Sequence, residues 1–156
     1  MLIIDLLKNH PLAIPQLVNI WFEVLGSVWF PETANVNTAI ERYHKHLNES
    51  LLPLTFVALC DNTPVGMVSL RHNDGLTSDW TPWLGSLVVH PQYTRRGIAQ
   101  QLIHMVKLKA KELGYEELFL FALDKNLPIY YKKLGWQIIG LDEFKGHHVT
   151  VMKIIL

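Results

Sequence analysis

The chain has 156 residues, 49% hydrophobic and 18% charged, which is globular composition and excludes a disordered segment. Fourteen Lys and Arg balance fourteen Asp and Glu, so no global field draws the chain to nucleic acid or an anionic membrane. The single cysteine, Cys60, excludes an internal disulfide and reads as a core residue in a reduced compartment.

The first stretch, "LIIDLL", reads as a strand. The N-terminus has no basic region followed by a long apolar core, so no signal peptide is read. No run reaches the roughly 18 apolar residues of a membrane helix. The expected location is the cytoplasm, with no membrane partner. From Ile14, apolar residues recur at Leu17, Val18, Trp21 and Leu25, which is helical spacing, and Gly26 is the expected stop. Val36, Ile40, Tyr43 and Leu47 predict a second helix. "LTFVALC" and "VGMVSLR" flank the turn residues "DNTP" and predict a hairpin.

After the polar loop "HNDGLTSD" comes the strand "WTPWLGSLVV", with Pro82 near its start. Gly97 to Leu113 is the clearest helix, with an apolar stripe of Ala99, Leu102, Ile103, Val106, Ala110 and Leu113, and Gly114 just beyond its end. "EELFLFAL" is a strand, and "NLPIYYKKLG" a short helix that tolerates Pro128 in its first turn. "WQIIGLDEF" and "HHVTVMKIIL" read as a closing antiparallel pair. The order β-α-α-β-β-β-α-β-α-β-β describes an α/β chain around one mixed sheet, with residues 1–156 forming a single domain.

The junction "HPQYTRRGIAQQLI" concentrates positive charge where a strand hands over to a helix. A helix start offers unpaired N–H groups and the positive end of its dipole, a ready seat for phosphate. Gly97 lets backbone approach closely, Arg95 and Arg96 supply charge, and Ala99 keeps the first turn slim. No Gly-Lys-Ser/Thr follows and only one glycine is present, so this is neither a P-loop nor a dinucleotide fingerprint.

"LVVHPQYTRRGIAQQLI" resembles the acetyl-CoA-binding motif of the GCN5-related N-acetyltransferase (GNAT) superfamily. Val89-His90-Pro91 matches its Val-x-Pro step, and Gly97 and Ala99 match the two small positions of Gln/Arg-x-x-Gly-x-Gly/Ala. Thr94 stands where the family has Gln or Arg, which shifts the expected binding onto backbone amides from Arg95 through Ile98 to Ala99. "LFLFALDKNLPIYYKKLGWQIIG" is similar to the family's C-terminal segment, with Tyr131, Gly135 and Trp136 matching Tyr-x-x-x-Gly-Phe/Trp. The usual Asn, seven residues before that Tyr, is Asp124 here, with Asn126 close by as the other candidate for a CoA contact.

The resemblance implies a GNAT-like fold: a mixed, mostly antiparallel sheet whose two central parallel strands splay apart, flanked by helices. It implies acetyl transfer from acetyl-CoA to a primary amine by direct attack in a ternary complex, without a covalent enzyme intermediate. From the spacing of the histidines, no metal is expected. Leu87, Val88 and Val89 are expected to offer backbone groups to the acetyl-pantetheine arm, and Tyr131 to act as general acid toward the leaving thiolate. The strand before the cradle carries no carboxylate, so no base is obvious, and Ser86 can only hold a water there. Asp74 and Asp79 are candidates to meet the amine, against a reading as turn residues that is favoured for Asp74 before Gly75. Trp29, Phe30, Trp80 and Trp83 are candidate walls of the acceptor pocket. The eight histidines form no zinc spacing: His44 and His46 do not share a helix face, and His147-His148 alternate across a strand.

The leading expectation is acetylation of a small-molecule amine. A protein or peptide acceptor, and a CoA-binding sensor without catalysis, are the alternatives. No nucleic-acid partner is expected, and monomer and homodimer are both open.

Overall fold

The computed structural model describes residues 1–156, and its element order is the one read from the sequence. Strands β1 (Leu2–Leu6), β2 (Leu54–Cys60), β3 (Thr63–Arg71), β4 (Trp83–Val89), β5 (Glu117–Ala122), β6 (Gln137–Phe144) and β7 (His147–Ile155) form one sheet in the order β1-β2-β3-β4-β5-β7-β6. All neighbours are antiparallel except β4 and β5. The helices are α1 (Ile14–Trp21), α2 (Ser27–Trp29), α3 (Val36–His44), α4 (Ile98–Glu112) and α5 (Leu127–Lys133).

The alternation of β2 and β3 explains the two layers of helices. Leu54, Phe56, Ala58, Val68 and Leu70 face one side and pack with Leu102, Ile103 and Val106 of α4. Val57, Leu59 and Met67 face the other side and pack with Ile14, Leu17 and Val18 of α1 and Tyr43 of α3. Both faces are covered, so these strands read as continuous apolar runs rather than alternating ones. The "DNTP" hairpin turns through Asp61 (φ 48°) and Asn62 (φ 69°), the paired positive φ of a tight two-residue turn.

Three expectations from the sequence change. Gly26 does not stop the first helix: it is right-handed (φ −60°), and a π-turn over Phe22–Gly26 carries the helix on into α2. A side chain at Gly26 would meet the Trp21 ring at 3.0 Å, so packing against Trp21 accounts for the glycine. The joined stretch Pro11–Trp29 is long and apolar enough, by length and composition, to cross a membrane, contrary to the reading of short runs. In the fold its apolar face is laid on the sheet. The second helix ends at His44, so Leu47 lies beyond it.

The feature that makes a site is the contact between β4 and β5. These strands share one register pair, Trp83 with Phe119 at their starts, and then part. On its other edge β4 carries a β-bulge. Met67 pairs with Val88 and Ser69 with Gly85, so Ser86 and Leu87 together oppose Val68 alone. Ser86 holds the bulge at φ 50°, a left-handed conformation uncommon outside glycine.

Candidate active site

Where β4 and β5 diverge they open a cavity of about 390 Å³. Leu84, Gly85, Ser86 and Leu87 line it from β4, and Leu120, Phe121, Leu123 and Asp124 from β5 and the residues after it. Tyr131 of α5 closes one side. The opposite wall comes from α1–α3 and from the β6–β7 turn. Trp29 and Phe30 meet Phe144 and His147 there: the Trp29 carbonyl lies 2.7 Å from His147 Nε2, and Phe30 stands edge-on to both rings.

The floor is polar and ordered. Arg71, the last residue of β3, sends Nη1 to Asp74 Oδ1 at 2.7 Å and Nη2 to Ser86 Oγ at 2.9 Å. Tyr43 donates its hydroxyl to the same Ser86 oxygen at 2.7 Å and accepts from Arg71 at 3.3 Å. Gly85 makes room for this pair, because a Cβ there would sit 2.6 Å from Asp74 Oδ1 and 2.7 Å from Arg71 Nη1. Burial pushes the Asp74 carboxyl above its ordinary value, with the Arg71 charge opposing the rise. Asp74 Oδ2 has no partner within the protein and is the free oxygen of the pair.

Behind the floor, buried His46 meets Thr55 at 2.8 Å, and Thr55 meets Ser69 at 2.7 Å across the β2–β3 ladder. Burial, then the charges of Arg71 and Arg42, lowers the His46 imidazole to about 3, so the ring is neutral. Tyr131 is 6% exposed and lines the cavity with no protein partner for its hydroxyl. Burial pushes its phenol well above the usual tyrosine value and holds it protonated.

At the far end of β4 the chain turns through Pro91–Tyr93 into α4. Arg95 (φ 63°) and Gly97 (φ 79°) are both left-handed, which curls the backbone just before the helix. No protein acceptor takes the N–H groups of Arg95, Arg96 and Gly97, and Ile98 and Ala99 open the helix with theirs also free. Such a curl can hold an anion. Open space surrounds the Cβ position of Gly97, so this glycine answers to its backbone angle, not to crowding. Arg95 and Arg96 are exposed here, and the Arg96 guanidinium lies over the Tyr93 ring.

The structure brings Trp29, Asp74, Ser86, Leu87 and Tyr131 to the cavity, while Val88 packs in the core and Val89 is half-buried at the end of β4. Asp74 is therefore more than a turn residue. Other expectations are corrected. Trp83 is fully buried beside Phe119, with Nε1 donating to the Trp80 carbonyl at 2.6 Å, and forms core rather than pocket wall. Trp80 stacks on Phe119 outside the cavity, and Asp79 is exposed on the loop away from it. Asp124 lines the cavity, whereas Asn126 does not; it is exposed at the start of α5 and gives its N–H to Asp124 Oδ1 at 2.7 Å. Sequence reading missed Arg42, Arg71, Asn35, Thr38 and Lys145, all on the cavity wall. The one local signal was an arginine ending an apolar strand three residues before an aspartate.

Comparison with known proteins agrees with this architecture. A family model described as "Acetyltransferase (GNAT) family" matches residues 15–136. A search of curated proteins finds no match. Among solved structures the fold is similar to an aminoglycoside 6'-N-acetyltransferase complexed with coenzyme A, at TM-score 0.75 and 17% identity over 98% of this chain and 96% of that one. It is similar to a ribosomal-protein-alanine N-acetyltransferase from Brucella melitensis, at TM-score 0.78 and 15% identity over 99% of both chains. It is also similar to the paia N-acetyltransferase from Thermoplasma acidophilum in complex with coenzyme A, at TM-score 0.73 and 19% identity over 100% and 99%. The parted central strands, the curled helix start and the family match over most of the chain lead to one conclusion: the chain belongs to the acetyltransferase (GNAT) family, enzymes that take their acetyl group from acetyl-CoA.

Proposed function

We propose that the chain acetylates the primary amine of a small molecule by direct attack in a ternary complex. The observation that carries this reading is the β4–β5 gap with a buried tyrosine on one side and a free carboxylate oxygen on the other. The residues present fit acetyl-CoA: the unpartnered N–H groups from Arg95 to Ala99 would hold its diphosphate, with Arg95 and Arg96 adding charge. The backbone of Leu87, Val88 and Val89 would align the pantetheine arm beside the parted strands. Bound there, acetyl-CoA supplies an activated acyl carbon.

The remaining chemistry falls to side chains. Asp74 Oδ2 attracts the acceptor ammonium and takes its proton, directly or through a water held near Ser86. The amine nitrogen attacks the acyl carbon, the C–N bond forms and the C–S bond breaks. Tyr131, which burial keeps protonated, gives its proton to the departing sulfur and regains one from the attacking nitrogen, which sheds its second proton as the amide forms.

A small acceptor is favoured over a peptide because the two walls meet. The Trp29 carbonyl and the Phe30 ring bind α2 to the β6–β7 turn through His147 and Phe144. An extended peptide needs an open groove at that place. Thiol release from acetyl-CoA, measured across a panel of small amines and N-terminal peptides, tests the reading. Release with small amines that falls on Tyr131→Phe supports it. Release with peptides alone, or acetyl-CoA binding with no release from any acceptor, refutes it.

A further inference from the structure

The charges around the acceptor half of the cavity are unevenly matched. Arg42, Arg71 and Lys145 line the cavity against two carboxylates, Asp74 and Asp124, and Asp124 accepts the Asn126 N–H at the start of α5. Asp74 is engaged by Arg71. Arg42 and Lys145 have no carboxylate within ion-pair distance. Each instead rests on aromatic rings: Arg42 lies over Trp21 at 5.5 Å, and Lys145 over Phe30 at 5.0 Å and Phe144 at 5.4 Å. They come from different elements, α3 and the β6–β7 turn, yet face one cavity.

Two cations without partners on an aromatic wall repel a polycationic acceptor and attract an anionic group. The wall itself is apolar in good part: Trp21, Trp29, Phe30, Phe121 and Phe144 supply large rings. An acceptor that satisfies both features has a charged end and an apolar body. The free oxygen of Asp74 adds the third requirement, a cationic amine near the parted strands.

We infer that the acceptor is a small amine that also carries a carboxylate, of the amino-acid type with an aromatic or apolar side chain, and that Arg42 and Lys145 select it by binding the carboxylate. This rests on the acetyltransferase reading above. It separates the chain from the similar aminoglycoside 6'-N-acetyltransferase. Arg42 and Lys145 are specificity residues here, and Asp74 meets the amine.

The test compares phenylalanine, phenylalaninamide, phenethylamine and an aminoglycoside on the full chain, by thiol release and by calorimetric titration into CoA-saturated protein. Charge-assisted hydrogen bonds to the carboxylate set the expected preference for phenylalanine over phenethylamine at about tenfold or more in kcat/KM. In Arg42→Gln and in Lys145→Gln that ratio falls toward one, through KM for phenylalanine rather than kcat. Thermal melts of both variants confirm that they fold. Preference for phenethylamine or the aminoglycoside in the unmodified protein overturns the inference and leaves the transferase reading standing. A wild-type preference that neither variant moves overturns the assignment to Arg42 and Lys145. Carboxylate-dependent binding without thiol release supports the acceptor class and overturns the transfer reading.

Discussion

Arg71 and Asp74 are joined at 2.7 Å on the floor of the cavity, and each side chain is only 14% exposed. The pair links the end of β3 to the loop before β4 and, through Ser86, to the bulge that parts the central strands. One contact thus couples the shape of the site to its chemistry.

Arg71→Met leaves the Asp74 carboxylate buried and alone, which costs about 3 kcal/mol, at the lower end for a broken buried pair because solvent still reaches it. Asp74→Asn keeps an oxygen for Arg71 and costs less, but removes the proton acceptor and lowers kcat by about 100-fold or more. Urea unfolding and thiol release separate the two effects. A large loss of stability with unchanged kcat in Asp74→Asn would return that residue to a purely structural role.

Gly97→Glu puts a negative side chain into open space beside the curled N–H groups, at a left-handed φ of 79°. Strain there is of order 1 kcal/mol, which the fold tolerates. Acetyl-CoA affinity should be lost, while Gly97→Ala loses little. Calorimetry with acetyl-CoA, alongside a melt of each variant, checks this. Normal affinity in Gly97→Glu removes the diphosphate from this turn.

Tyr131→Phe should lower kcat by about 10²-fold or more without changing KM for acetyl-CoA, since the hydroxyl has no partner in the protein to lose. Because burial raises the phenol above its ordinary value, the acid form persists as pH climbs toward 10. The kcat profile should therefore show no fall from phenol ionisation up to that pH. A basic limb near pH 9 that vanishes in Tyr131→Phe would keep the acid role and overturn the raised phenol.

His46 ties stability to pH. Its folded value is lowered to about 3 from an ordinary 6.5, so between those values the unfolded chain binds a proton that the folded chain does not. The stability it contributes is full above about pH 6.5 and is lost as pH falls toward 3. At pH 5 the loss is about 2 kcal/mol, which for a chain of this size lowers Tm by several degrees. Melts of the unmodified chain and His46→Gln between pH 8 and pH 5 should diverge in slope. Parallel slopes would place the acid sensitivity elsewhere.

The elements were legible because their signals are local. Helical spacing, turn residues and β-rich runs each depend on neighbours within a few positions, and every strand and helix appears in the order read. The curled turn before α4 was legible for the same reason: Arg95, Gly97 and the first turn of α4 are contiguous. The misreadings share a cause as well. Gly26 answers to Trp21 and Ala34, and Trp83 to Phe119 of a distant strand, and neither contact is visible from adjacent residues.

The sequence by itself determined the alternating strands, the helix starts, the positive curl before α4 and the tyrosine after β5. Only the tertiary structure decided what lines the cavity. Arg42, Arg71, Asp74, Ser86 and Lys145 come from α3, β3, two loops or turns and β4, and they line one cavity because β4 and β5 part after a single register pair. Charges far apart along the chain interact through space and the local dielectric, so their balance is set by packing and not by order.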